Sequence, residues 1–250
     1  MNAATNWFDE RGGDYALYRP EYPPELRRYL AAIAPKRRCA VDAGCGNGQL
    51  TRLLSDMFES VIGIDPSADQ IAHATPAPHV RYLCAPAEAM PVADGSADLV
   101  TAAQAAHWFD LPAFYAEAGR IAANGAILAL ISYGVLRIGG AMQQRFDPFY
   151  RDEIGPWWPP ERRLVDNGYR DIPFPFPERK APEMAIHVMW TLAAFLGYVA
   201  TWSAVRRARE AGRVDILAGF AADISRLWGD PRETRAISFP INMRIGTLKA

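Results

Sequence analysis

An excess of charge of either sign is missing. The chain carries 27 Lys and Arg against 28 Asp and Glu, a formal net charge of −1. No basic run stands out, and a nucleic-acid backbone needs a dense cationic face, so nucleic acid is a poor partner. Arg206, Arg207 and Arg209 cluster, but with Glu210 beside them they read as an exposed helix end. Cysteine is scarce: Cys39, Cys45 and Cys84 lack metal-ligand spacing and cannot all pair. A reducing compartment, the cytoplasm, is the expectation. The opening MNAATNWFDERGG has no apolar run of the kind a signal peptide needs. Met184 to Val205 holds no charged side chain and is long enough on paper to cross a bilayer. However, His187, Thr191, Gly197, Thr201 and Ser203 dilute it, and a strand of the sheet is expected beyond it. A buried cap helix is the reading preferred to a membrane span.

What is present centres on Cys39 to Asp65, CAVDAGCGNGQLTRLLSDMFESVIGID. An apolar strand leads into Asp42 and a turn of Gly44, Cys45, Gly46, Asn47 and Gly48. Leu50, Leu53, Leu54, Met57 and Phe58 then recur at the spacing of one helix face. Val61 to Ile64 form a second strand, closed by Asp65 and Pro66. This is a βαβ unit with a nucleotide-sized crevice at its switch point. Glycines remove Cβ atoms where a backbone must bend and approach a ligand. An acid ending the second strand accepts from ribose hydroxyls. The spacing is G-x-G-x-G rather than the G-x-G-x-x-G of pyrophosphate sites, and Asp42 precedes it. An acid there suits a cation or ammonium group and repels a phosphate. The turn favours a nucleoside with a positive arm over a dinucleotide.

The 250 residues, half of them apolar, suffice for one sizeable core. Residues 1–38 read as a helical leader, in which Pro24 opens a helix buried through Leu26, Tyr29, Leu30 and Ile33. After Asp65, Ser67 is a helix N-cap with Gln70 at the third position, which either completes a capping box or faces the ligand. Val80 to Cys84 form the third strand and run into the turn A-P-A-E-A-M-P. Asp98 to Ala102 form the fourth strand and lead into A-Q-A-A-H-W-F-D. That stretch leaves the carboxyl end of a central strand beside the glycine turn, where open sheets place ligands. It concentrates Gln104, His107 and Trp108. His107 exchanges a proton near neutral pH, or is a loop histidine satisfied by backbone. Trp108 offers a flat wall and one N–H donor, or packs in the core. Pro112 to Ile121 form a helix, Asn124-Gly125 a turn, and Ala126 to Ile131 the fifth strand.

The remainder is proline-rich. Gln143 to Asp152 read as helix, and Trp157 and Trp158 beside prolines form either a substrate wall or a satellite core. Tyr169 to Phe176 is expected as an outer strand, 186–229 as two helices broken at Ala211-Gly212, and Ile237 to Leu248 as the last strand.

The residues D-A-G-C-G-N-G followed by G-I-D resemble the first two motifs of class I S-adenosylmethionine-dependent methyltransferases. Y-R-P-E-Y-P-P, A-P-A-E-A-M-P, A-Q-A-A-H-W-F-D and T-W-S-A-V extend the likeness, in order, to the type 11 methyltransferase domain, similar to the fungal trans-aconitate type. The resemblance implies an α/β, Rossmann-like sheet of seven strands, the last antiparallel, with helical cap insertions. It implies a leader over residues 1–38, a cofactor-binding core over 39–133, and a cap with the last two strands over 134–250. S-adenosyl-L-methionine would be held by Tyr18, Arg19, Asp42, Gly44, Cys45, Gly46, Asp65, Pro66, Gln70, Ala87, Glu88 and Gln104. An acid that the family often has before the Ala-Glu pair is here Pro86, which leaves the adenine amine unassigned.

Methyl transfer to a small molecule, by a monomer or homodimer, is the expected activity. The expected acceptor is a carboxylate, oriented by Gln104, His107, Trp108 and Tyr22. With a hydroxyl or amine acceptor, His107 is the general base instead. A nicotinamide-dependent oxidoreductase and a non-catalytic methyltransferase-like binding protein are the other readings.

Overall fold

Uninterrupted apolar runs are the mark of parallel strands covered on both faces, and they dominate the first half of this chain. The computed structural model describes residues 19–248. Five strands are parallel: β1 (Cys39–Ala43), β2 (Ser60–Asp65), β3 (Val80–Cys84), β4 (Ala97–Ala103) and β5 (Ala122–Tyr133). Three more lie in the second half: β6 (Glu178–Arg179), β7 (Met184–Trp190) and β8 (Arg235–Thr247). They form one eight-stranded sheet in the order β3-β2-β1-β4-β5-β8-β6, with β7 also pairing β8. β8 runs antiparallel to β5, β6 and β7. The chain leaves β1 for β2 on one side and returns to β4 on the other. The crevice outside the ends of β1 and β4 is therefore the ligand edge.

Alternation along β5 divides the core. Ile127, Ala129, Ile131 and Tyr133 join one apolar layer, and Leu128 and Leu130 the other. The first layer takes Leu26, Leu30 and Ala31 of α1 (Pro24–Ile33), and Leu50 and Leu54 of α2 (Gln49–Leu54). α3 (Ala68–Ala72) follows β2. The second layer takes Phe114, Ala118 and Ile121 of α4 (Leu111–Ile121), the foreseen face.

The cap comprises α5 (Gly140–Pro148), α6 (Arg162–Asp166), α7 (Leu192–Ala200), α8 (Ser203–Glu210) and α9 (Val214–Trp228). α7 to α9 are inserted between β7 and β8, as the expectation of an insertion before the last strand had it.

Several elements differ from the sequence reading. The main path of the sheet has the expected seven strands, its last in sequence antiparallel, and β7 is added beside β8. Tyr169 to Phe176 form no strand: Tyr169 has φ +63° and prolines interrupt the segment, so the edge strand is Glu178–Arg179. Met184–Trp190 is a strand, not the start of a helix, with Ile186 buried and His187 and Met189 turned outward. Three helices follow instead of two, because the chain also breaks at Thr201 and Trp202. The break at Ala211-Gly212 is present, with Gly212 at φ +78°. Asn124 and Gly125 lie within β5, where the register to β4 shifts, rather than in a turn before it. α2 ends at Leu54, and Phe58 reaches the core from the turns beyond. Among the described residues no helix is long and apolar enough to cross a membrane.

Glycine is obligatory at one corner of this framework. Gly48 has φ +91°, and a Cβ there would sit 2.1 Å from Tyr82 Oη. Strain and collision together make Gly48→Ala less stable by about 2–4 kcal/mol. Urea unfolding measures this as a lower midpoint at unchanged slope. A loss below about 0.5 kcal/mol would mean that Tyr82 moves aside freely.

Candidate active site

The glycine turn is tied inward. Gly44 N–H and Cys45 N–H both donate to Ile64 O, at 2.7 and 3.0 Å, and Gly48 N–H to Cys45 O at 3.0 Å. Gly46 N–H donates to Asp65 Oδ2 at 2.9 Å, and Ser67 N–H to Asp65 Oδ1 at 2.9 Å. These donors do not face a ligand, so the turn has little to offer a phosphate. Asp42 reinforces this. It is 1% exposed, with Oδ2 accepting from Thr51 Oγ1 at 2.7 Å and Oδ1 from Thr101 Oγ1 at 2.8 Å. Thr51 lies in the first turn of α2, so an internal carboxylate already sits at the start of that helix, where a phosphate would bind. The direct ligand contact expected of Asp42 is thus replaced by a buried anchor between Thr51 and Thr101. Burial lifts its pKa to about 6. Cys45 is likewise buried, its Sγ on Gly46 O, and offers no donor outward.

Room for a ligand lies beside Gly46. A Cβ at Gly44 would meet Ala105 Cβ at 2.4 Å, whereas one at Gly46 meets only Gln70 Oε1, at 3.6 Å. Gln70 is 5% exposed and its Oε1 is buried with no partner. Ser67 Oγ accepts from Gln70 N at 3.3 Å, the expected cap, so the side-chain amide is left for the crevice. Asp65 ends β2 beside this cradle. An orphaned acceptor, a carboxylate and a cradle without Cβ fit the ribose of a nucleoside. Pro66 is exposed at the rim, and its carbonyl accepts from Cys84 Sγ at 3.5 Å. The Ala87 methyl packs in the second core layer. Glu88 is corrected: its Oε1 accepts from Asp110 N at 2.9 Å and orders the loop. Tyr18 lies outside the described residues. Arg19 is placed on the cap side, with Nη1 donating to Tyr133 Oη at 3.1 Å and its guanidinium 5.5 Å from the Tyr198 ring.

The loop after β4 lies against this turn through Ala105. Gln104 has φ +54°, a conformation that favours glycine, at the ligand edge. Its N–H donates to Ile131 O at 2.8 Å and its Nε2 to Tyr133 O at 3.0 Å. Gln104 therefore joins two strand ends rather than reaching out with its amide. Tyr22 is 7% exposed and packs edge-on against Tyr133, with ring centroids 6.1 Å apart. Trp108 is 37% exposed, its ring 4.8 Å from that of His107, which favours the wall over the core.

His107 is held by a residue that the sequence reading missed. Its Nδ1 lies 2.9 Å from Tyr169 Oη. Burial raises the pKa of Tyr169, so that hydroxyl keeps its proton and can donate it to Nδ1. The ring is then neutral, with Nε2–H as its remaining donor. Burial, and secondarily the charge of Arg162, lower the His107 pKa to about 3. Arg162 was also missed. Its Nε donates to Tyr150 Oη and Asp166 Oδ1, each at 2.9 Å, and its guanidinium stacks 4.6 Å from the Trp158 ring. E-R-R after prolines carries no sign of this.

The His107 shift has a sign that can be tested. An unfolded histidine titrates near 6.5 and the folded one near 3. Below the higher value the unfolded chain takes a proton that the fold refuses, so this stability is complete above pH 6.5 and declines towards pH 3. Asp42 runs the other way between 3.8 and about 6, but it is common to wild type and variant. His107→Gln therefore gains about 1–2 kcal/mol relative to wild type on going from pH 8 to pH 5, measured by urea unfolding. An equal pH dependence in both proteins would show that His107 titrates normally.

Comparisons with known proteins agree with this geometry. A family model described as a methyltransferase domain, type 11, matches residues 41–130, from β1 to β5. A protein of Dictyostelium discoideum described as a methyltransferase is 34% identical over 218 residues, covering 84% of this chain and 83% of that one. A solved structure from Anaeromyxobacter dehalogenans, described as a type II methyltransferase, is 42% identical with a TM-score of 0.87, covering 93% of this chain and 99% of that one. The malonyl-[acyl-carrier protein] O-methyltransferase of Pectobacterium atrosepticum is 34% identical over 130 residues, about half of each chain (51% of each). None of these three relatives bears on the narrower likeness to the trans-aconitate type. A crevice shaped for a phosphate-free nucleoside, on a sheet shared with these relatives, places the chain in the class I S-adenosylmethionine-dependent methyltransferase family.

Proposed function

We propose that the protein methylates the carboxylate of a small molecule, in the cytoplasm, as a monomer or homodimer. The observation that carries this reading is the His107–Tyr169 bond. Burial holds the imidazole neutral, with a pKa of about 3, and with Tyr169 donating to Nδ1 the ring proton sits on the other nitrogen. Such a ring is a poor general base at pH 7 and a good donor. A carboxylate is already ionised and needs orientation, not deprotonation. S-adenosylmethionine, when bound, supplies a methyl group on a sulfonium, so that one C–O bond forms, one C–S bond breaks with its pair left on sulfur, and no proton moves. Asp65 and Gln70 hold the ribose, and Asp42 favours the ammonium through its field. His107 directs its N–H at the acceptor oxygen, and Trp108 walls the acceptor. Positioning of this kind contributes up to about 7–11 kcal/mol. The O-methyltransferase among the relatives also supports transfer to oxygen. The free cysteines Cys39, Cys45 and Cys84 support a reducing compartment.

The test uses donor labelled in its methyl group and a panel of carboxylic acids, phenols and amines. A carboxylate product releases its label as methanol in mild alkali, whereas an ether or amine does not. His107→Ala lowers turnover by less than about 10-fold on a carboxylate, against roughly 100-fold or more for a lost base. Alkali-stable product, or a loss of the larger size, overturns the reading.

A further inference from the structure

We infer that Arg162 and Trp158 form the binding site for the acceptor's anion, so that the reactive carboxylate lies between the Arg162 guanidinium and the His107 ring. The inference rests on the carboxylate reading above and extends it to residues that the methyl-transfer chemistry alone does not name.

Arg162 opens α6, and its side chain is 20% exposed. Only Nε is engaged, by Tyr150 Oη and Asp166 Oδ1. Among the described residues the two terminal nitrogens make no hydrogen bond, and the ion pair with Asp166 runs through Nε. The guanidinium lies over two adjoining rings, 4.6 Å from the centre of Trp158 and 5.7 Å from that of Tyr150. Beyond its pair with Asp166, the guanidinium keeps the donors of its outer edge for a second anion. The outer edge of a guanidinium presents paired N–H groups that match both oxygens of a carboxylate.

Trp158 gives an independent sign. Its Nε1 is buried and has no partner, and a buried indole N–H is ordinarily hydrogen-bonded. Its ring carries the guanidinium, so an anion bound there is within reach of both. The third element is geometric: α6, which carries Arg162, packs against the turn at 106–108 that carries His107. Arg162, Trp158 and the His107 turn thus lie together where the β4 loop meets the cap. Methylation erases the negative charge, so the neutral ester loses its hold on Arg162 and leaves.

The probes are benzoate, acetate and succinate, titrated calorimetrically into protein saturated with S-adenosylhomocysteine. Benzamide, neutral and of the same shape as benzoate, is the control. The wild-type protein binds at least one of the carboxylates. When that one is benzoate, benzamide binds at least about 30-fold more weakly. Arg162→Gln weakens carboxylate binding about 30-fold or more, Arg162→Lys restores part of it, and S-adenosylhomocysteine affinity stays within twofold in both. Equal carboxylate affinity in wild type and Arg162→Gln overturns the inference and leaves the carboxylate reading standing. So does benzamide binding as well as benzoate, a comparison that needs no variant to fold. Failure of the wild-type protein to bind any of the three carboxylates overturns both.

Discussion

Asp65→Ala lowers the affinity for S-adenosylhomocysteine by about 100-fold or more. Two losses add. Asp65 Oδ2 holds Gly46 N–H and Oδ1 holds Ser67 N–H, each at 2.9 Å, so alanine leaves both ends of the crevice without their acceptor. The ribose hydroxyls also lose the carboxylate. Charge-assisted hydrogen bonds contribute about 1.5–3 kcal/mol each, so two of them account for the factor. The residue is 9% exposed, so water replaces it poorly. Calorimetric titration measures the constant directly. A thermal scan gives a second readout, because ligand at 100-fold above its Kd adds about 2.7 kcal/mol of stability that the variant no longer gains. Affinity within threefold of wild type would remove Asp65 from the cofactor site.

The part of this site that the sequence reveals is the part made by neighbours in the chain. Parallel strands covered on both faces appear as unbroken apolar runs, and the glycine spacing marks the bend between them. Asp42 was legible as an acid in the right place, but not as an anchor, because Thr101 reaches it from a different strand. Gln104 has the chemistry of a ligand contact, and only its positive φ shows that its amide joins β4 to β5. Met184–Trp190 shows the ambiguity of short apolar segments, which fit a strand or a buried helix until pairing with β8 settles the matter. Arg162 and Tyr169 were invisible for another reason. Their meaning comes from His107, far away in sequence, and from Trp158 and Tyr150 folded against them. The cofactor half is a local motif, whereas the acceptor half is an encounter between distant segments.

That division sets the expectation for Phe220→Ala. Phe220 of α9 is fully buried and stacks on Phe149, with ring centroids 3.8 Å apart and planes at 10°. Phe146 and Phe195 meet it at 6.3 and 6.1 Å, and the Arg145 guanidinium lies 5.3 Å from its ring. Truncation opens a cavity that these rigid rings cannot fill, and stability falls by about 3–5 kcal/mol. Phe149 adjoins Tyr150 in sequence and stacks on Trp202, which in turn meets Trp158 at 5.3 Å. Loosening this cluster therefore disturbs the wall behind Arg162. Asp65, Gly46 and Gln70 belong to the sheet edge and share no ring contact with Phe220. At a temperature where the variant remains folded, the KM for the acceptor rises about 10-fold or more, a shift of about 1.4 kcal/mol, while S-adenosylhomocysteine affinity stays within twofold. Urea unfolding and calorimetry measure the two quantities separately. A parallel loss of cofactor affinity would show that the cap and the crevice are one cooperative unit, and the assignment of acceptor binding to the cap would fail with it.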